Sequence, residues 1–162
     1  MGDEQRQSRE RDQATVIGLV SPPDSVVINS RDRTTGEGAL HFVVRDRDLT
    51  WLVFLLGKGA RPNLQSNGGH SPLSLAAQIG WLEGAEQLLS RKASVDLANG
   101  RGETPLILAT QRRDVAMVRL LLSKGANPAR TDNVANMSAL DYARRDSRAA
   151  EIVTLLQSQR SR

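Results

Sequence analysis

The side chains with the widest chemical range in this 162-residue chain are two histidines, His41 and His70, and there is no cysteine to join them. A zinc ion is ordinarily held by three or four nitrogen, sulfur or carboxylate ligands, so two imidazoles fall short of a metal site. Without cysteine there is neither a disulfide nor a thiolate nucleophile, and the redox compartment cannot be read. A serine or threonine nucleophile would have to borrow one of the same two histidines as its base, and no Gly-x-Ser-x-Gly turn is present. Gly57-Lys58-Gly59-Ala60 has the residue types of a phosphate loop but lacks its spacing, which puts four residues between a glycine and Gly-Lys-Ser/Thr. Arg45-Asp46-Arg47-Asp48 is dense in charge, yet a catalytic carboxylate pair needs burial or a cleft to separate its pKa values. It reads as a solvated helix end. No catalytic residue, metal ligand, cofactor or small-molecule substrate is therefore expected, and the chain is not expected to be an enzyme.

What must position such residues is a repeated frame. Gly38-Ala39-Leu40-His41, Ser71-Pro72-Leu73-Ser74, Thr104-Pro105-Leu106-Ile107 and Ser138-Ala139-Leu140-Asp141 are versions of one tetrapeptide, with leucines stepping by 33, 33 and 34. Leu55-Leu56, Leu88-Leu89, Leu121-Leu122 and Leu155-Leu156 step by the same intervals. Two landmarks sharing one period are the signature of a solenoid, whose units bury their apolar faces only by stacking. Within the second unit, Ser66-Asn67-Gly68-Gly69 predicts a hairpin-like loop, Ser71 caps a helix with Pro72 at its first position, and Gly80 ends it. A second helix runs through 82–89. Asp12, Asp48 and Asp114 stand at one offset before Val16, Leu52 and Val118, where each is expected to cap a second helix. Lys92 takes the place held elsewhere by Gly59 and Gly125, which predicts a strained left-handed residue. Trp51 aligns with Met117 at an inward position and is expected in the core. Trp81, at the corner between helices, is expected to pack on a neighbouring unit, the alternative being an exposed anchor.

These residues resemble the ankyrin repeats. The likeness is carried by Asn63 and Asp96, Gly69 and Gly102, Ser71-Pro72-Leu73 and Thr104-Pro105-Leu106, and the Leu-Leu-x-x-Gly-Ala of 55–60 and 121–126. The resemblance implies an all-α solenoid of stacked helix-turn-helix units joined by hairpin-like loops. The expected division is a polar tail at 1–10, a single repeat domain at 11–157 and a tail at 158–162. That domain holds a half-repeat at 11–30 and repeats at 31–63, 64–96, 97–129 and 130–157. Departures from the family pattern are the longer first and fourth hairpins, Ala39 and Ala139 in place of proline, and the family's histidine kept only at His41, where the resemblance implies a bond to backbone at the helix start. The C-terminus reads as complete. The N-terminus reads as a truncated cap or as the remainder of a longer chain.

Composition is consistent with this frame. Hydrophobic residues make up 39% and aromatic residues 3%, and short helices stacked closely are filled by aliphatic side chains and alanine. The net charge of +4 invites a nucleic-acid reading. However, the basic residues, 19 Arg and 3 Lys, are interleaved with 18 acidic ones in every repeat. The preference for Arg reads as a base-composition bias, in a chain expected to be bacterial. No run of 18 apolar residues occurs and the N-terminus is polar, so a cytoplasmic location is the default, or a periplasmic one if a signal has been removed.

The resemblance implies that a partner binds hairpin tips and the exposed face of the first helices. Carried over by position, the hairpin set is Arg33, Thr34, Glu37, Asn67, His70, Arg101, Glu103, Asn133 and Val134. The helix set is Arg45, Asp46, Gln78, Ile79, Gln111, Arg112, Arg145 and Asp146, with Ile79 expected as an exposed aliphatic at the centre. The function expected is a monomeric protein-protein interaction module. The alternative is a dedicated inhibitor or regulator of one enzyme, with nucleic-acid binding behind both.

Overall fold

Ser71, Thr104 and Ser138 each open a helix in the computed structural model, which describes residues 28–160. Their hydroxyls accept the amides of Ser74, Ile107 and Asp141, three residues on, satisfying donors that a helix start otherwise leaves bare. The eight described helices are α1 (Ala39–Arg45), α2 (Leu49–Gly57), α3 (Pro72–Ile79), α4 (Leu82–Ser90), α5 (Pro105–Gln111), α6 (Val115–Ser123), α7 (Ala139–Arg145) and α8 (Ala150–Arg160). The odd-numbered helices pack on one another in order, the even-numbered helices form a second layer, and each pair packs together. Among the described residues there is no strand, only an isolated bridge between Thr131 and Ser138. The architecture is the solenoid that the period predicts, all-α as the resemblance implies.

Asp48 and Asp114 cap α2 and α6 through the amides of Trp51 and Met117; Asp12 lies outside the described residues. Gly80 ends α3 at φ 74°, while Arg47 and Arg113 occupy the same left-handed corner at φ 55° and 57°. Lys92 is left-handed at φ 67°. Leu52, Leu55, Leu73, Leu88, Leu106, Ile107, Met117, Leu121 and Leu156 fill the core. No buried side-chain nitrogen or oxygen among the described residues lacks a partner.

The two tryptophans divide differently from the sequence reading. Trp51 is not fully enclosed: it is half-buried, packed against the core from its edge. Trp81 is buried at 5% exposure, its indole filling the space above Gly84, where a Cβ would lie 2.1 Å from the ring. The glycine at that position makes room for an aromatic ring on the residue three before it.

Candidate binding face

Consecutive hairpins are joined by one backbone hydrogen bond each: Asn67 N donates to Thr35 O, Gly100 N to Gly68 O and Asn133 N to Arg101 O, all at 2.9 Å. This proximity requires Gly69. A Cβ there would stand 2.4 Å from Gly100 N, and its φ of +80° is one that side chains resist. Inside each hairpin a short polar side chain gathers amides. Asp32 accepts those of Thr34 and Thr35, Ser66 that of His70, Asn99 those of Arg101 and Glu103, and Asp132 those of Ala135 and Met137. Between units, Asn29, Asn63 and Asp96 accept the amides of Arg61, Ser94 and Asn127. The family's Asn/Asp positions therefore bind one repeat to the next.

His41 is fully buried. Its Nδ1 accepts the Gly38 amide at 3.0 Å, so Nε2 carries the proton and donates to His70 O at 2.7 Å, across to the next hairpin. Burial pushes the imidazole below its ordinary pKa of 6.5. It is a structural link, as the resemblance implied. Asp132 joins the last hairpin to α7 through the Tyr142 hydroxyl. Burial alone would raise this carboxyl, but the bonds from Tyr142 and the neighbouring amides outweigh it and hold the group low. The same bond raises the Tyr142 phenol.

Hairpins and odd-numbered helices present one continuous face, because Glu37 of the first hairpin pairs with Arg45 at the end of α1 and Asp132 pairs with Tyr142 of α7. On it, Arg45, Gln78, Gln111 and Arg145 are exposed at corresponding positions of the four units. Three residues earlier on the same helix side lie Phe42 and Tyr142, half-buried at the two ends of the row, and Leu75 and Leu108, which belong to the buried core between them. This apolar row was not among the residues read from sequence, although its 33, 33 and 34 spacing was available to find it.

The predicted contact residues divide by what they already do. Asn67 donates its side chain to Thr34 O, His70 accepts from His41, Glu103 accepts from Asn99, and Asp146 pairs with Arg113 at 3.0 Å. Asn133 gives its amide to Arg101, and the Arg112 guanidinium lies over Gly80 and reaches Gln78 O at 3.4 Å. Ile79 is not the exposed aliphatic expected: it is half-buried and packed against the core, while Arg47 donates to its carbonyl. The exposed aliphatic of the set is Val134, at 58%. Arg33, Thr34, Gln78, Arg101 and Arg145 carry exposed side chains, and Gln111 bonds Tyr142 beside them. Asp46 is exposed at the end of α1. Among the described residues no three His, Asp or Glu side chains converge on a metal-sized space, and no helix is long and apolar enough to cross a membrane.

Comparison with known proteins gives this geometry its relatives. A profile described as ankyrin repeats (3 copies) matches residues 40–132 and 82–161. The chain is 34% identical over 110 residues to a putative ankyrin repeat-containing protein of Treponema pallidum (strain Nichols), covering 67% of this chain and 37% of the relative. It is 36% identical over 132 residues to neurogenic locus notch homolog protein 1 of Danio rerio, covering 80% of this chain and 5% of the relative. It is also 33% identical over 98 residues to the human transient receptor potential cation channel subfamily A member 1, covering 60% of this chain and 9% of the relative. The matched stretch is thus a minor part of each of these relatives. With the period, the capped helix pairs and the hairpin ladder, these matches show that the chain belongs to the ankyrin-repeat family.

Proposed function

We propose that this chain is a non-enzymatic, monomeric module that takes a protein partner on the face formed by its hairpins and odd-numbered helices. One observation carries the reading: Arg45, Gln78, Gln111 and Arg145 stand at one position of successive units beside the apolar row of Phe42, Leu75, Leu108 and Tyr142. The fold accepts both Arg and Gln at the outer position, so packing does not dictate those identities. Exposed polar groups that can donate to carboxylates or carbonyls, flanked by half-buried Phe42 and Tyr142, suit a folded protein surface. Interleaved acids on the same face, among them Glu37, Glu103 and Asp146, favour a protein over a nucleic-acid backbone.

The organisation proposed with it is that of the sequence reading, a single domain at 11–157 with a half-repeat at 11–30, most of which lies outside the described residues, and repeats at 31–63, 64–96, 97–129 and 130–157. Affinity capture from an extract of the source organism tests the function, using the native chain, Gln78→Arg, Arg101→Glu and, as control on the opposite layer, Glu86→Arg. A protein retained by the native chain and by Glu86→Arg, and lost with Gln78→Arg and Arg101→Glu, is the expected result. Retention of duplex DNA that weakens steeply with salt would replace this reading by the electrostatic one. An activity assay on the retained protein then separates scaffold from inhibitor.

A further inference from the structure

Two Asn-Gly pairs lie in neighbouring hairpins, Asn67-Gly68 and Asn99-Gly100. Such a pair can consume its own asparagine: the glycine amide nitrogen attacks the side-chain carbonyl carbon, a step that a Cβ on the second residue hinders. The two pairs sit one residue out of register. Successive units place Asn67, Gly100 and Asn133 at the position whose amide donates to the preceding hairpin. In the third hairpin the attacking nitrogen would therefore be Gly100 N, which is engaged with Gly68 O at 2.9 Å. Asn99 is buried there, its Oδ1 accepting the amides of Arg101 and Glu103 and its Nδ2 donating to Glu103 Oε1 at 3.1 Å. In the second hairpin the attacking nitrogen would be Gly68 N, at the tip, which donates to no acceptor among the described residues. Asn67 and Gly68 are both exposed, and the Asn67 side chain is held by its bond from Nδ2 to Thr34 O at 3.0 Å, itself in contact with water.

We propose that Asn67 is a site of spontaneous deamidation and isoaspartate formation, and that Asn99, with the same sequence signal, is protected by the hairpin ladder. Gly68 N bonds to Asn67 Cγ as the Cγ–Nδ2 bond breaks, and the amide proton of Gly68 leaves with that nitrogen as ammonia. Water then opens the succinimide ring. Addition at Cγ breaks its bond to Gly68 N and gives aspartate; addition at the main-chain carbonyl carbon of residue 67 breaks the original peptide bond and gives isoaspartate, whose chain runs through Cγ. One water is consumed and one ammonia released, with no oxidation or reduction. Either product takes the donor away from Thr34 O and adds a negative charge. The altered link lies between two rungs of the ladder, Asn67 N to Thr35 O and Gly100 N to Gly68 O, so isoaspartate inserts a methylene between them and loosens the second hairpin from its neighbours.

Ageing the full chain in mildly alkaline buffer, followed by peptide mass analysis and isoaspartyl methyltransferase labelling, tests this. Gly68→Ala is the control variant, since the added Cβ meets nothing closer than His70 Cδ2 at 3.4 Å, an ordinary contact, and Gly68 is not left-handed. In the folded native chain residue 67 should convert about ten-fold or more faster than residue 99, and Gly68→Ala should slow residue 67 by about ten-fold. In denaturant the two pairs should convert at similar rates, and the isoaspartate form should exchange its Gly100 amide faster than the unaged chain. Asn99 converting as fast as Asn67 in the folded chain, or an Asn67 rate that Gly68→Ala leaves unchanged, would overturn the proposal. The same selectivity in denaturant would overturn protection by the ladder, and Gly100 exchange unaltered by isoaspartate would overturn its loosening.

Discussion

Gly69→Ala isolates the energy of hairpin stacking. The added Cβ would lie 2.4 Å from Gly100 N and 2.9 Å from Asn99 C, backbone atoms of the next hairpin that cannot rotate away. Two penalties combine. A non-glycine residue held at φ +80° costs about 1 kcal/mol. Parting the hairpins forfeits the bond from Gly100 N to Gly68 O, 2.9 Å long and worth about 1 kcal/mol net, more if either group is left unsatisfied. A total loss of about 2–3 kcal/mol is expected. Gly125→Ala is the matched control, since that residue has φ +88° and nothing within 4 Å of its would-be Cβ. It should lose about 1 kcal/mol, from backbone strain alone. Both substitutions change the unfolded chain alike, so the difference between them belongs to the folded state. Urea titrations with unchanged slopes measure both. Equal losses at the two sites would refute the claim that hairpin contact contributes to stability.

Leu106→Ala, which empties a fully buried site in an interior unit, should cost about 2–5 kcal/mol in the same titration, and Leu155→Ala, at a half-buried terminal site, clearly less. Lys92→Gly should stabilise by up to about 1 kcal/mol, because it relieves a left-handed lysine, whereas Arg113→Gly should gain less, since it also gives up the pair with Asp146. His41 has a folded pKa below its ordinary 6.5, so its contribution is complete above that value and is lost as pH falls through it, when a second ring proton would confront the Gly38 amide. The urea midpoint should therefore drop between about pH 7.5 and 5.5, and much less in His41→Asn. The carboxyls of Asp132 and Asp141, held below 3.8, add their own loss only at lower pH.

The period, both helices of each unit, the caps at Ser71, Thr104, Asp48 and Asp114 and the left-handed corner at Gly80 were legible because each depends on residues within a few positions in the chain. Exposure was less so. The position shared by Trp51, Gly84, Met117 and Glu151 ranges from fully buried to exposed, since it is decided by what stacks from the preceding unit and, at Gly84, by the Trp81 ring. For the same reason Ile79 is drawn into the core and Arg112 lies across Gly80 instead of standing free. The apolar row from Phe42 to Tyr142 was hidden differently: each member looks like ordinary core within its own helix, and only the four together form a strip.

The central claim, that a protein partner lies on the hairpin and odd-helix face, is tested most directly by photo-crosslinking. A benzophenone side chain placed at Gln78, and separately at Glu86 on the other layer, is irradiated in an extract of the source organism. A protein joined to the chain at position 78 and not at 86 is the predicted result. Crosslinking at 86 with none at 78 would contradict it and move the binding surface to the even-numbered helices.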